Sequence, residues 1–224
     1  MRDDRKKYRA FVDFDGTVTE TDVGYEFFRR FAEGRAEEIV MKYRRGQITA
    51  IECLQGECDI YNEYPAPVVE IKRFIKQQKV TRGFQKFVET CDRLDIPLTV
   101  LSAGFDFYIK PILHRHGLDR LPVLCNPTII KNGRIYPQFI YYDPDTCLVC
   151  ANCKGARIRE LLRAGESAIF VGDGHSDCHG AIAADIIFAR SFLKDLLDAQ
   201  NIPNHLYRDF HDVAQALIEI IEKK

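Results

Sequence analysis

Tyr8-Arg-Ala-Phe-Val-Asp-Phe-Asp-Gly-Thr17 is a short apolar run that breaks abruptly into acid, glycine and threonine. It reads as a buried strand stopping at a polar loop. The same event recurs downstream. Pro97-Leu-Thr-Val-Leu101 ends at Ser102-Ala-Gly104, and Ala168-Ile-Phe-Val171 ends at Gly172-Asp-Gly-His-Ser-Asp177. Leu121 to Cys125 and Ile186-Ile-Phe188 supply two further strands. Helical stretches separate these runs, which predicts right-handed crossovers and a mainly parallel α/β sheet covered on both faces. Polar groups in such a sheet collect beyond the carboxyl ends of its strands.

Between the first and second of these strands the pattern is helical throughout. Val23, Phe27, Phe28 and Phe31 share one face, and Ile39, Val40 and Tyr43 share another. Thr49 with Glu52 predicts a capping box, and Pro65-Ala-Pro67 precedes a fourth helix. The chain therefore divides into an α/β core of residues 1–20 and 80–224 and an inserted helical cap of residues 21–79. The Phe27, Phe28 and Phe31 cluster reads as cap core. Later, Asn132-Gly133 between apolar residues predicts a hairpin.

Lys+Arg 32 balance Asp+Glu 33 in 224 residues, leaving no electrostatic case for nucleic acid or an anionic membrane as the main partner. The first residues carry no apolar leader, and no window reaches the roughly 18 apolar residues a membrane helix needs. The expected address is the cytoplasm, as a monomer or homodimer.

The three polar loops bring together a specific chemistry. Asp13, Asp15, Asp173 and Asp177 form an all-oxygen set suited to Mg²⁺, an ion usually held by one or two carboxylates plus phosphate oxygens. Lys154 opens the helix before the Asp173 strand and adds positive charge. The Ser102 hydroxyl and the N–H groups of Ala103 and Gly104 are candidate donors to phosphoryl oxygens. In this reading Asp13 attacks phosphorus, and Asp15 protonates the leaving oxygen and then activates water, a role that requires a raised pKa. Asp22, early in the cap, is either a reader of a substrate amino or hydroxyl group or a helix-terminal charge. His175 either contacts substrate or is a solvent-exposed or capping histidine.

Asp13-Phe-Asp-Gly-Thr17, Ser102, Lys154 and Gly172-Asp-Gly-His-Ser-Asp177, in that order with a helical insertion after the first, resemble the haloacid dehalogenase superfamily of phosphatases. The resemblance implies a Rossmann-like core, Asp13 as nucleophile and metal ligand, and Asp15 as acid/base and backbone-carbonyl ligand. It further implies Ser102 and Lys154 on phosphate, Asp173 on the metal, and Asp177 in support through water or Lys154. The expected partner is a small phosphorylated metabolite. The small helical cap is similar to the phosphoserine phosphatase type. Cys125-Asn126, Cys147-Leu-Val-Cys-Ala-Asn-Cys-Lys154, Phe188-Ala-Arg190 and Asn204-His-Leu-Tyr-Arg-Asp-Phe210 resemble the methionine-salvage branch acting on 2-hydroxy-3-keto-5-methylthiopentenyl-1-phosphate. Phosphoethanolamine/phosphocholine phosphatases are also similar in having cysteines before the motif lysine. Phosphoserine itself is an alternative substrate, although Gly-Asp-Gly-His-Ser-Asp departs from the Gly-Asp-Gly-x-Asn-Asp usual there. A phosphomutase and a non-catalytic sensor of a phosphorylated ligand are the competing functions.

Cys147, Cys150 and Cys153 stand open between two readings. They are either buried free thiols or a structural zinc site with Cys125 as its fourth ligand.

Overall fold

The computed structural model describes residues 6–222. The reading of the extreme N-terminus therefore bears on residues 1–5, outside the described residues. Strand β1 (Lys7–Val12) is followed by helices α1 (Val23–Phe31), α2 (Glu37–Arg44), α3 (Ala50–Glu63) and α4 (Val68–Gln77). Then come α5 (Phe84–Arg93), β2 (Leu98–Phe105), α6 (Asp106–Arg115), β3 (Val123–Asn126) and a hairpin of β4 (Thr128–Lys131) and β5 (Arg134–Pro137). The rest comprises α7 (Lys154–Leu161), β6 (Glu166–Gly172), α8 (Cys178–Ile182), β7 (Ile186–Ala189), α9 (Ser191–Ala199), β8 (His205–Leu206) and α10 (Phe210–Glu222).

Six strands form one sheet in the order β3-β2-β1-β6-β7-β8. Every pairing in it is parallel. The alternation of side chains across a strand decides which layer each residue joins. Ala10, Val12, Ile169 and Val171 enter the apolar cluster on one face, with Phe84, Phe87 and Phe210. Phe11, Ala168 and Phe170 enter the other, with Ile158, Leu193 and Leu197. Burial on both faces makes these strands read as continuous apolar runs. A fully buried phenylalanine such as Phe11 contributes about 2–3 kcal/mol.

The chain leaves β1 toward β2 on one side and later returns to place β6 on the other, so the strand order reverses at β1. A crevice opens at the carboxyl ends of strands at such a point. The residues following β1 and β6 are Asp13 and Asp173.

Two details differ from the sequence reading. Ser102-Ala-Gly104 does not end its strand: β2 runs on to Phe105, with an irregularity in its pairing with β3 between Leu101 and Phe105. Strand β8 was not foreseen; it is two exposed residues paired to Phe188 and Ala189.

Helices α1 to α4 are tied to the rest in three ways. Phe27 packs against Phe28, Phe31, Tyr61 and Phe74, and also against Phe107 of α6, so its aromatic cluster continues into the main apolar core. The Asn62 side chain pairs with the β5 backbone as another strand would, donating to the Ile135 carbonyl at 2.8 Å and accepting from its N–H at 2.7 Å. The segments entering and leaving the helical block also bond to one another. Thr19 bridges Val80, Glu20 N–H donates to Lys79 O at 3.1 Å, and Thr81 N–H donates to Val18 O at 2.8 Å. No helix among the described residues is long and apolar enough to cross a membrane.

Candidate active site

Asp13 sits one residue beyond β1, its N–H held by Val171 O at 2.9 Å, and is 3% exposed. The chain then turns sharply. Gly16 adopts φ +76°, and a Cβ there would come within 2.7 Å of an Asp173 carboxylate oxygen. Glycine is therefore needed both for the turn and for the approach of the two loops. Arg190 donates to the Gly16 carbonyl, and Thr81 Oγ1 donates to Thr17 O at 2.8 Å, which fixes the turn from outside.

Lys154, the first residue of α7, is fully buried and donates to both Asp13 Oδ1 and Asp177 Oδ1, with Ser176 Oγ at 3.0 Å. Burial opposes its charge, but the Asp13 and Asp177 carboxylates outweigh that and hold its pKa above the ordinary lysine value. Asp177 uses its other oxygen to accept from the Asp173 and Gly174 N–H groups, at 2.9 and 2.8 Å. Its two oxygens are thus both engaged in holding the loop and Lys154. Asp173 accepts from Thr17 Oγ1 at 2.8 Å. Burial, then the charge of Asp177, raises Asp173 to about 6. Burial, then Asp177, also pushes Asp13 well above the usual carboxylate range, with Lys154 pulling the other way.

Carboxylate oxygens of Asp13, Asp173 and Asp177 all lie within 4.8 Å of one another. Burial, then the charge of Asp177, raises Asp13 and Asp173, so a cation beside them, in addition to Lys154, is favoured. The donor set is all oxygen, which fits Mg²⁺ and gives no soft ligand for zinc or copper.

Asp15 faces different partners. Its Oδ1 accepts from the N–H groups of Val23 and Gly24 at the start of α1, at 3.1 and 3.2 Å. Its Oδ2 accepts from Tyr108 OH at 2.9 Å and Ser102 Oγ at 3.3 Å. Burial, then the charge of Asp22, lifts Asp15 to about 7 despite these donors. Two carboxylates two residues apart are thereby set in different environments: one pairs with a lysine, the other with a tyrosine, a serine and the first N–H groups of α1.

Ser102 is fully buried with its hydroxyl on Asp15, and Gly104 N–H donates to Ser102 Oγ at 2.8 Å. The Gly104 donor foreseen for phosphate is turned inward in this arrangement, because the strand continues through it. Gly104 has a steric role instead: a Cβ there would stand 1.9 Å from Tyr108 OH and 2.6 Å from Asp15 Oδ2. Ala103 lines the cavity, and its carbonyl accepts from Asn126 Nδ2 at 2.6 Å. Asp22 caps α1, its Oδ1 accepting from Tyr25 N–H at 2.9 Å, and it also lines the cavity, so both of its readings have a geometric basis. His175 stacks on Phe192 at 3.5 Å between ring centroids, at the cavity wall.

The aspartates Asp13, Asp15, Asp173 and Asp177 line a cavity of about 510 Å³ together with Asp22, Ser102, Tyr108 and His175, while Lys154 lies behind it. Its far wall comes from α1 to α3 and includes Phe28, Val40, Leu54, Arg44 and Glu57. Sequence reasoning passed over Tyr108, Arg44 and Glu57, and it placed Arg190 in a motif without giving it a part in the site. Glu57 carried a signal, being an acid within a helix whose other inward positions are apolar. Tyr108 and Arg44 carried none.

The cysteine-rich run lies behind Lys154. Cys147, Cys150 and Cys153 converge there, but the expected fourth member does not join them. Cys125 is buried in β3 within the main apolar core, and the fourth side chain is His179 of α8.

A family model described as haloacid dehalogenase-like hydrolase matches residues 10–181. The chain is 32% identical over 218 residues to 2-hydroxy-3-keto-5-methylthiopentenyl-1-phosphate phosphatase of Brevibacillus brevis, spanning 96% of this chain and 97% of that protein. It is 28% identical over 220 residues to the protein of the same name from Bacillus cereus (strain ATCC 10987), spanning 96% and 98%. A solved phospho-aspartyl intermediate analogue of phosphoserine phosphatase shares the fold at TM-score 0.73 and 20% identity, over 95% of this chain and 99% of that one. A substrate-bound phosphoserine phosphatase complex does so at 0.72 and 18%, over the same shares.

Proposed function

The chain belongs to the haloacid dehalogenase-like hydrolases, and from that premise we propose that it is a magnesium-dependent phosphatase working through an aspartyl-phosphate on Asp13. The observation that carries the reading is the division of labour between the first two acids. Asp13 is paired with buried Lys154, while Asp15 is held near a pKa of 7 by burial and faces the same cavity.

In the first step an Asp13 carboxylate oxygen bonds to phosphorus, the bond from phosphorus to the ester oxygen breaks, and Asp15 gives that oxygen its proton. In the second, water attacks the aspartyl-phosphate, Asp15 takes the water's proton back, and Asp13 leaves with inorganic phosphate released. Lys154 orients Asp13 and offsets negative charge, and the Ser102 hydroxyl lies beside Asp15 for a phosphoryl oxygen. Asp13, Asp173 and the Asp15 backbone carbonyl would hold the magnesium, with Asp177 behind them. When bound, the ion neutralises charge on the phosphoryl oxygens and on Asp13.

Residues 21–79 act in this reading as a cap that closes the cavity from above and excludes water. The compartment is the cytoplasm, where thiols stay reduced. The relatives' shared name supplies the substrate reading: 2-hydroxy-3-keto-5-methylthiopentenyl-1-phosphate. The apolar wall of Phe28, Val40 and Leu54 suits a methylthio tail, opposite the acids that would receive the phosphate.

Phosphate release across this ester, phosphoserine, phosphoethanolamine and phosphocholine, with Mg²⁺ and with chelator, tests the proposal. The enol phosphate should be preferred, chelator should silence the enzyme, and Asp13→Asn should cost at least about a thousandfold in kcat. Full turnover by Asp13→Asn would refute the nucleophile. An isomeric phosphate ester in place of free phosphate would make the protein a mutase.

A further inference from the structure

Between β5 and α7 the chain runs from Gln138 to Cys153 without a helix or strand. Irregular segments of this length are uncommon inside compact folds, and those that occur there usually have a function. Short-range bonds account for part of it: Asp143 accepts from the N–H groups of Asp145 and Cys147. The last turn of the segment instead brings three sulfurs to one place. Cys147, Cys150 and Cys153 Sγ lie 3.7, 3.4 and 3.6 Å from a single atom, His179 Nδ1.

Hydrogen bonding does not explain that convergence. One imidazole nitrogen either donates one proton or accepts one, so it can satisfy one thiol and not three. A common central atom does explain it. With zinc about 2.3 Å from each sulfur and about 2.0–2.1 Å from nitrogen in a tetrahedron, sulfur and nitrogen stand roughly 3.5–3.6 Å apart. The observed separations bracket that value, and all four ligand atoms lie within 4.8 Å of one another. We infer that Cys147, Cys150, Cys153 and His179 form a closed Cys₃His zinc site, structural and separate from the carboxylate site.

The backbone supports this assignment. Gly155 lets α7 approach α8 so closely that a Cβ there would lie 2.4 Å from the His179 carbonyl oxygen, the contact that brings His179 over the cysteines. Four protein ligands leave no open position for substrate or water, which marks a structural rather than a catalytic metal. The soft sulfur-rich set excludes magnesium and selects zinc over the harder divalent ions. The positions in sequence give the ion a purpose. Cys153 precedes Lys154, His179 follows Asp177 by two, and Asn152 Nδ2 donates to Ser102 O at 3.0 Å and Leu124 O at 3.1 Å. The zinc thus clamps together the two segments whose side chains meet in the Lys154–Asp177 ion pair.

The inference does not rest on the phosphatase reading, because its primary readout is the metal content of the resting protein. The tag-free full chain, purified without chelator and dialysed against excess Mg²⁺, should carry about one zinc per chain by plasma mass spectrometry. A thiol-specific mercurial should release it. Cobalt in its place should give the visible absorption of a tetrahedral ion and a near-ultraviolet thiolate charge-transfer band. The Cys147→Ala/Cys150→Ala double variant should lose the zinc, and Cys125→Ser and Cys178→Ser should keep it. If the double variant is insoluble, His179→Ala should bind zinc more weakly against a competing chelator than His179→Cys, which restores a fourth ligand. Zinc-free protein with all three thiols open to alkylation, a disulfide among them, or zinc retained at full occupancy by the double variant would each overturn the assignment.

Discussion

Tyr108 gives its hydroxyl to the Asp15 oxygen that Ser102 also reaches, at 2.9 Å from a fully buried position. Removing that hydroxyl leaves Asp15 in place but loosely oriented. Tyr108→Phe is expected to lower kcat about tenfold, roughly 1.4 kcal/mol, with KM little changed in steady-state assays. Glu57 gives a prediction in pH. Burial, then the charge of Asp22, raises it to about 8; Glu37 reinforces this and Arg44 opposes it. The folded protein keeps a proton that the unfolded chain loses near 4.5, so this stabilisation is complete below that pH and is lost as pH rises through about 8. Glu57→Gln should therefore flatten the fall of melting temperature between about pH 6 and 9. At this scale the sequence was legible where chemistry is written locally, as in Asp13-Phe-Asp-Gly-Thr17. It was not legible for Tyr108 or His179. Each joins its neighbours from a distant element through a tertiary approach that leaves no mark on the sequence around it, and Cys125 was the wrong fourth member of the cysteine cluster for the same reason.

Elements were legible wherever a local signal sets the backbone. Thr49 and Glu52 form the full reciprocal capping box at the start of α3, and Asn132 and Gly133 take φ of 52° and 77° in the hairpin turn. Thr49→Ala should cost about 1 kcal/mol and lower the melting temperature by about 2–4 °C in a calorimetric scan. Ser102-Ala-Gly104 misled because serine and glycine ordinarily punctuate a strand. Here Gly104 serves the crowding around Tyr108 while pairing resumes at Phe105. Strand β8 was invisible because its two exposed residues carry no apolar pattern, and its place is set by the neighbouring β7.

Across the whole molecule the crowded carboxylates are a cost that a divalent cation relieves, so binding should stabilise the fold by mass action. Mg²⁺ is expected to raise the melting temperature of the wild-type protein by several degrees and that of Asp173→Asn far less, as read by circular dichroism. That the sheet is mainly parallel follows from the alternation of apolar runs with helical stretches, whereas its strand order and the lining that α1 to α3 give the cavity are encoded in no local pattern. The antiparallel bridge between Thr19 and Val80 bears on the protein's history as well as its shape. Because the two ends of the intervening segment are already bonded to each other, the entropy of closing it rises only slowly with its length. Descendants can therefore lengthen, shorten or exchange what lies between residues 20 and 79 without disturbing the strand order. Selection for a new substrate can act on that stretch while the acids of the sheet stay fixed.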